Sequence, residues 1–198
     1  MEQQFWDDMY REKDQVWSGA PNGALVTEVE GLPPGQALDL GCGEGADALW
    51  LAARGWLVTA VDISPVALAR AKAAAGDAKV SWTHADLSTS ALPARAFDLV
   101  AALYFSVKRE PEHRAVRNML AAVAPGGTLL FAHHDMTGHE HKHNPDPDFD
   151  PADYYSPGDI AAMLDDDWTI VTHETRARVN MPPEAMHVND IVLKARRH

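Results

Sequence analysis

The stretch that decides the fold is residues 36–55, which read QALDLGCGEGADALWLAARG. Its first five residues, Gln36–Leu40, are mostly apolar and predict a buried strand, and the glycines that follow predict a tight loop. Residues 46–54 then have a helical pattern that ends at Gly55, because glycine tolerates the left-handed backbone of a helix C-cap. The stretch therefore predicts a strand, a glycine-rich loop and a helix in succession.

The rest of the chain continues this alternation of strands and helices. Further strands are predicted at residues 56–61, 80–84, 97–103 and 128–134, and helices at 65–76, at 111–124 and from 157 onward. Such alternation is typical of βα units that form a parallel sheet covered on both faces. Two long strands, at 168–179 and 186–195, are joined at Pro182 and Pro183 and predict a closing hairpin. The predicted fold class is α/β, a doubly wound seven-stranded sheet that is mostly parallel, with an antiparallel strand in the C-terminal hairpin.

Length and composition narrow the classes of function. The 198 residues suit one domain, and the formal net charge of −12 opposes binding to a nucleic-acid backbone. No apolar run approaches the roughly 18 residues that a membrane span needs, and Met1 to Gln4 do not resemble a signal peptide. A single cysteine, Cys42, forms no intrachain disulfide. A cytoplasmic location without nucleic-acid or membrane partners is expected.

The glycine loop and its neighbouring acids predict a ligand site. Gly41, Gly43 and Gly45 allow a ligand to approach the backbone. Gly41, Gly43 and Ala46 fit a dinucleotide fingerprint as well as Gly41, Gly43 and Gly45 fit a shorter G-x-G-x-G loop. Negative side chains at Asp39 and Glu44 would repel a pyrophosphate, so they favour a cationic ligand and disfavour a nicotinamide-dependent oxidoreductase. The glycine spacing alone does not identify the cofactor, and the two acids favour a cationic ligand over a dinucleotide.

Asp62 ends the second predicted strand. A carboxylate at that point can accept hydrogen bonds from both hydroxyls of a ribose. An adenosine-containing ligand is implied.

Five motifs in order carry a resemblance to a known family. They are residues 39–45, Asp62, 85–87 (Ala-Asp-Leu), 97–100 (Phe-Asp-Leu-Val) and 125–127 (Pro-Gly-Gly). Together they resemble the class I, Rossmann-like methyltransferases that use S-adenosylmethionine, over residues 36–134. The segment from Phe5 to Gly19 resembles, more loosely, the small bacterial tellurite-resistance and thiopurine methyltransferase group.

The resemblance implies a role for each matched residue. The methionine end of the cofactor would lie on Asp39 and the glycine loop, the ribose on Asp62, the adenine amino group on Asp86, and the adenine ring between Ile63 and Leu87. The methyl-donor side would be lined by Leu103 and Tyr104. Trp17, in the N-terminal segment, completes the predicted set. The alternative for Trp17 and the three aliphatic residues is ordinary core packing.

Catalytic residues are expected beyond the carboxyl ends of the fourth and fifth strands, where substrates bind in open α/β sheets. His134 is the candidate general base, and the adjacent Asp135 could orient it or raise its pKa. Tyr104 is the third candidate. The alternative for His134 is a structural or solvated histidine without a catalytic role.

The histidine-rich segment that follows has two interpretations. Residues 133–155 contain five histidines, and His139, His141 and His143 would share one face of an extended segment. Together with His133, His134 and Asp135 these are ligands that zinc or nickel accept, but the spacing lacks a metal-site pattern. A polar substrate lid without metal is the prediction.

The expected function is methyl transfer to a small molecule at sulfur, nitrogen or oxygen. One domain over 1–198 is predicted, with a cap at 1–22, a cofactor-binding core at 36–134, a lid at 135–155 and a hairpin at 168–196. The predicted assembly is a monomer or homodimer. The alternative is a sensor that binds S-adenosylmethionine or a metal without turnover. A nucleic-acid or protein methyltransferase is disfavoured because the only basic cluster is residues 194–197.

Overall fold

Residues 3–137, 150–179 and 187–198 are described by the structure, a computed structural model. The strands are β1 (Gln36–Leu40), β2 (Leu57–Asp62), β3 (Val80–His84), β4 (Phe97–Leu103), β5 (Val123–His134), β6 (Trp168–Ala177) and β7 (Asn189–Arg197). The helices are α1 (Gln3–Glu12), α2 (Gly23–Val29), α3 (Ala46–Ala52), α4 (Pro65–Ala74), α5 (Arg114–Ala122) and α6 (Pro157–Ala162), with a 3-10 turn at Pro151–Asp153.

The seven strands form one sheet in the order β3-β2-β1-β4-β5-β7-β6. Strands β1 to β5 pair in parallel, whereas β7 is antiparallel to both β5 and β6. The predicted fold class is thus confirmed, with β7 as the reversed strand. Because β7 is reversed, its first residues lie at the same edge of the sheet as the carboxyl ends of β1 to β5.

The central strands of the sheet bury apolar side chains on both faces. On β1, Leu38 and Leu40 belong to one core cluster and Ala37 to the other, as expected when successive side chains point to opposite faces. The central strand β4 is buried along almost its whole length. Burial on both faces is what keeps parallel strands apolar throughout.

Two helices begin with the capping chemistry that their sequences predict. The hydroxyl of Ser64 accepts a hydrogen bond from the backbone N–H of Ala67, and Pro65 occupies the first turn of α4. At α6, Ser156 and Asp159 form a reciprocal capping box. The caps determine where α4 begins after β2 and where α6 begins before β6.

Several boundaries differ from the predicted ones. Helix α5 begins at Arg114, not at residue 111, because His113 before it has a left-handed backbone with φ of 51°. Strand β5 reaches back to Val123 through Gly126, where the pairing with β4 shifts register. Helices α1 and α2 are additional to the predicted elements. The predicted turn at Pro182 and Pro183 lies outside the described residues.

Most of the predicted lid, residues 138–149, also lies outside the described part of the chain. Across the described ranges, no helix is both long enough and apolar enough to cross a membrane.

Candidate active site

Asp62 connects the glycine loop to the end of β2. Its Oδ2 accepts a hydrogen bond from the backbone N–H of Gly43, and its Oδ1 accepts one from Ser64, both at 2.8 Å. Each carboxylate oxygen can accept more than one hydrogen bond, so this arrangement leaves capacity for ligand hydroxyls. The structure therefore brings Asp62 and the loop together as the sequence predicts, and gives Asp62 a structural role as well.

The loop is packed so closely that its glycines have no room for side chains. All three have positive φ, at 69° for Gly41, 52° for Gly43 and 87° for Gly45. A Cβ added to Gly41 would lie 2.5 Å from the ring of Phe105, and one added to Gly45 would lie 2.6 Å from that of Trp82. Both backbone conformation and space thus require glycine here.

Asp39, at the end of β1, is a buried acid with an unpaired oxygen. Within the described residues its Oδ2 has no hydrogen-bond partner. Burial, together with the nearby carboxylates of Asp47 and Asp62, raises the pKa of Asp39 well above its usual value. An unsatisfied buried acceptor is costly. A cationic donor such as an ammonium group would satisfy it, so the site fits a ligand that carries one.

The N-terminal segment covers the glycine loop. The indole N–H of Trp17 donates to the hydroxyl of Tyr10 at 2.9 Å, and a Cβ on Gly43 would lie 2.8 Å from that hydroxyl. Tyr10 is buried, whereas Trp17 is 50% exposed. Trp17 therefore lies at the surface beside the loop and is not a core residue.

Glu44 fastens this segment to the loop. Its carboxylate accepts hydrogen bonds from the backbone N–H groups of Val16 and Trp17 and forms an ion pair with Arg70 at 2.9 Å. Arg70 also donates to the backbone carbonyls of Tyr10 and Lys13. The charge of Glu44, which the sequence suggests acts on the ligand, is thus already paired within the protein.

We expect Glu44→Gln to loosen the N-terminal segment. The amide loses the ion pair and one acceptor for the two backbone N–H groups, and hydrogen bonds to a charged group contribute about 1.5–3 kcal/mol. Hydrogen exchange at the amides of Val16 and Trp17 should accelerate about tenfold. The control is Glu112→Gln, whose carboxylate pairs with Arg114 but is 74% exposed. Equal exchange rates in the two variants would contradict a fastening role for Glu44.

The residues predicted to contact the adenine have mixed environments. Asp86 uses Oδ1 to accept hydrogen bonds from the backbone N–H and the hydroxyl of Ser88, at 2.8 and 2.7 Å. Leu87 is buried in one core cluster, and Leu103, predicted on the methyl-donor side, is buried in the other. Ile63 is half-buried beside Asp62, and its carbonyl lies 2.9 Å from Nε2 of His84.

The predicted catalytic residues His134 and Tyr104 are in contact. Their rings lie 4.2 Å apart between centroids, and both reach the same carboxylate, that of Asp190. The hydroxyl of Tyr104 donates to Oδ2 at 2.7 Å, and Nδ1 of His134 lies 3.1 Å from Oδ1. Burial and the contact with Asp190 raise the pKa of Tyr104 well above its usual value, so the phenol stays protonated.

The carboxylate partner of His134 differs from the one expected. The sequence predicts Asp135, but the hydrogen bond is made to Asp190 at the start of β7. Successive residues of a strand point to opposite faces, whereas His134 and Asp190 are paired across β5 and β7 and share a face. Oδ1 of Asp135 accepts a hydrogen bond from the backbone N–H of Thr137.

Two further residues join this cluster and were not predicted. Nε of Arg178 lies 3.4 Å from Oδ1 of Asp190, and its guanidinium lies over the ring of Tyr104. The ring of His187 stacks on that of His134 with centroids 4.8 Å apart. Arg178 follows β6 and His187 precedes β7, so the hairpin predicted from the sequence was the signal that could have located them.

His133 has a structural role. Its Nε2 lies 2.9 Å from the carbonyl oxygen of Phe105, and burial lowers its pKa, which keeps the ring neutral. Within the described residues, no three His, Cys, Asp or Glu side chains group as metal ligands. The candidate ligands His139, His141 and His143 lie outside that part of the chain, so the absence of a metal stays a prediction.

Comparison with known families matches residues 37–127 to a methyltransferase domain. A methyltransferase of Mycobacterium tuberculosis, itself uncharacterized, is 38% identical over 117 residues, which are 59% of this chain and 59% of the relative. The match thus spans little more than half of that relative's length. The 2-heptyl-1-hydroxyquinolin-4(1H)-one methyltransferase of Mycobacteroides abscessus is 28% identical over 161 residues, 78% of this chain and 68% of the relative.

Solved structures share the fold over nearly the whole chain. One, described for the conversion of a disulfide bond into a thioacetal group during echinomycin biosynthesis, has a TM-score of 0.74 and 26% identity, covering 98% of this chain and 91% of its own. The N-methyltransferase NodS of Bradyrhizobium japonicum, in complex with S-adenosyl-L-homocysteine, has a TM-score of 0.72 and 20% identity, covering 98% and 97%. TehB of Haemophilus influenzae has a TM-score of 0.68 and 18% identity, covering 98% and 67%.

The domain match, the methyltransferase relatives and the seven-stranded sheet with its reversed strand agree with one another. Residues 37–127 of this chain are thus similar to a methyltransferase domain, and the chain has the Rossmann-like fold of solved methyltransferases.

Proposed function

We propose that this protein transfers a methyl group from S-adenosylmethionine to a sulfur, nitrogen or oxygen atom of a small molecule. The observation that carries the proposal is the buried carboxylate of Asp39, whose Oδ2 has no partner among the described residues, beside the positive-φ glycine loop. When bound, the cofactor supplies a sulfonium methyl group whose bond to sulfur breaks with the electron pair left on sulfur. No metal is needed for such a displacement, and the protein contributes mainly by positioning.

The described residues can hold each part of this cofactor. Asp39 can accept a hydrogen bond from the amino group, and the glycines of the loop let a ligand approach the backbone at the end of β1. Asp62 can accept from the ribose hydroxyls with its remaining lone pairs. Oδ2 of Asp86 can accept from the adenine amino group. The acidic surroundings favour a ligand that carries positive charge.

A small acceptor suits the surface and the relatives of this chain. The net charge of −12 opposes a nucleic-acid partner. Relatives include a thiocyanate methyltransferase of Arabidopsis thaliana, 29% identical, and the hydroxyquinolone enzyme of Mycobacteroides abscessus. We propose that the acceptor binds beyond β4 and β5, between the N-terminal cap and residues 135–155.

We expect the purified protein to bind S-adenosylhomocysteine and not NAD. The pyrophosphate of NAD would bring negative charge next to Asp39 and Asp62, whereas the amino group of S-adenosylhomocysteine complements Asp39. Titration calorimetry with each ligand at neutral pH decides between them. Tight NAD binding without a response to S-adenosylhomocysteine would refute the proposed function.

A further inference from the structure

We propose that Asp190 is the positioning residue for His134 as a general base, and that the methyl acceptor is a hydroxyl-bearing small molecule whose proton His134 removes. The inference rests on the proposed function and narrows its substrate class from sulfur, nitrogen or oxygen nucleophiles to hydroxyls. It starts from the contact between Nδ1 of His134 and Oδ1 of Asp190, at 3.1 Å.

The contact with Asp190 determines which nitrogen of His134 can act as a base. A carboxylate only accepts hydrogen bonds, so Nδ1 carries the proton that it donates to Asp190. The other nitrogen, Nε2, then has a free lone pair in the neutral ring. No hydrogen bond from the described residues engages Nε2, and the His134 side chain is 28% exposed. The basic nitrogen is therefore available to a ligand.

Asp190 and His134 are held in a fixed geometry. The Asp190 side chain is 4% exposed and receives contacts from Tyr104 at 2.7 Å, His134 at 3.1 Å and Arg178 at 3.4 Å. The ring of His134 lies between those of Tyr104 and His187, with centroids 4.2 and 4.8 Å away. A base held in this way loses little freedom when an acceptor binds, which is the arrangement that catalysis by positioning requires.

The cluster adjoins the candidate cofactor site. Tyr104 directly follows β4, and the next residue, Phe105, lies against Gly41 of the glycine loop. Strand β4 separates β1 from β5, and adjacent strands are about 4.8 Å apart, so the end of β5 lies roughly 10 Å from that of β1. A distance of this size leaves room for a small acceptor between the loop and His134.

A base facing the acceptor narrows the class of nucleophile. Thiocyanate and aromatic ring nitrogens carry no proton at neutral pH, and a thiol with a pKa of about 8.5 ionises in part unaided. A phenolic hydroxyl, with a pKa of about 10, must lose its proton as its oxygen forms the new bond to carbon. That proton passes to Nε2, the resulting imidazolium is stabilised by Asp190, and it then releases the proton to water.

The first test measures the tautomer of His134 by ¹⁵N NMR on the full chain. We expect the Nδ1–H tautomer at neutral pH in the wild type, and its loss or mixing with the Nε2–H form in Asp190→Asn. The matched control is Glu174→Gln, an exposed carboxylate on the same hairpin that pairs with Arg176, which should leave the tautomer unchanged. An Nε2–H tautomer in the wild type would overturn the role of Asp190.

The second test compares methylation of 1-naphthol, which has a hydroxyl, with that of quinoline, which has a ring nitrogen without a proton. We expect Asp190→Asn to lower kcat for 1-naphthol about tenfold or more, with KM for S-adenosylmethionine unchanged. Any turnover of quinoline should be unaffected. Wild-type protein that binds S-adenosylhomocysteine but does not methylate 1-naphthol would overturn the substrate class. Failure to bind S-adenosylhomocysteine would instead refute the proposed function, and the tautomer would still decide the role of Asp190.

Discussion

Asp62→Ala is expected to weaken S-adenosylhomocysteine binding by about 1.5–3 kcal/mol, roughly tenfold to a hundredfold. The alanine removes the acceptor that we assign to the ribose hydroxyls. It also releases the backbone N–H of Gly43, which Asp62 holds at 2.8 Å, so the loop that cradles the ligand loses a support. Titration calorimetry on the folded variant gives the change in affinity.

The same substitution is expected to change stability, because Asp62 accepts from two backbone N–H groups. Leaving a buried donor unsatisfied costs about 1–3 kcal/mol of stability. Burial raises the pKa of Asp62, so its charged form is disfavoured in the folded protein, and removing that charge offsets part of this cost. We therefore expect a lower melting temperature alongside the weaker binding. A control variant must therefore show that a loss of stability alone does not weaken binding.

Ser64→Ala provides that separation. It removes the hydroxyl that caps α4 and donates to Asp7, but keeps the backbone N–H that Asp62 accepts. Loss of a cap costs about 1 kcal/mol, so the melting temperature should fall while the affinity for S-adenosylhomocysteine stays within about twofold. If Asp62→Ala left the affinity unchanged in a folded protein, the ribose would have to bind elsewhere.

The parts of the site that could be predicted from the sequence are those encoded locally. The strand, glycine loop and helix at residues 36–52 follow one another directly, and each is specified by its own residue types. The position of Asp62 follows equally from the end of the next strand. Local patterns of this kind need no knowledge of distant pairing, so Asp39, Asp62 and the three glycines are found where they were expected.

The partner of His134 could not be predicted in this way. Asp190 lies opposite His134 only because β7 runs antiparallel to β5 in one particular register, and a slip of one residue would turn it to the other face. The sequence predicts the hairpin but not this register. From the sequence, the expected carboxylate partner of His134 is therefore the nearest acid along the chain, Asp135, whereas the hydrogen bond is made to Asp190.

The contacts of the charged side chain of Glu44 could not be predicted from the sequence either. Its position within the glycine loop suggests an effect on the ligand, but its carboxylate pairs with Arg70 on α4 and with the backbone at Val16 and Trp17. These contacts depend on how the N-terminal segment folds over the loop. A charge read from sequence does not reveal the long-range contact that neutralises it.

Asp39→Asn is expected to stabilise the protein and weaken the binding of its ligand. Asp39 is buried beside two other acids, which raises its pKa in the folded state above the value in the unfolded chain. The folded protein therefore binds this proton more tightly, and stability falls as the pH rises through the window from the ordinary pKa to the raised one. Above that window the charged side chain is destabilising, and asparagine has no such charge.

The stability of Asp39→Asn should thus exceed that of the wild type most clearly above the raised pKa of Asp39, with a rise in melting temperature of about 2 °C or more. The difference should shrink as the pH is lowered towards the ordinary pKa of aspartate. Asp98→Asn is the control, because Asp98 at the start of β4 is exposed and accepts a hydrogen bond from the backbone N–H of Gln36. It should not raise the melting temperature.

Ligand binding should respond in the opposite direction from stability. Truncating one partner of a buried charge pair costs about 2–5 kcal/mol, so S-adenosylhomocysteine should bind to Asp39→Asn at least about thirtyfold more weakly. In the wild type its affinity should increase as the pH rises through the raised pKa of Asp39, because the deprotonated carboxylate is the form that binds an ammonium group. The variant should lack this dependence. If Asp39→Asn were more stable and still bound S-adenosylhomocysteine at full strength, the unpaired oxygen of Asp39 would have no role in binding, and the proposed function would lose the observation that carries it.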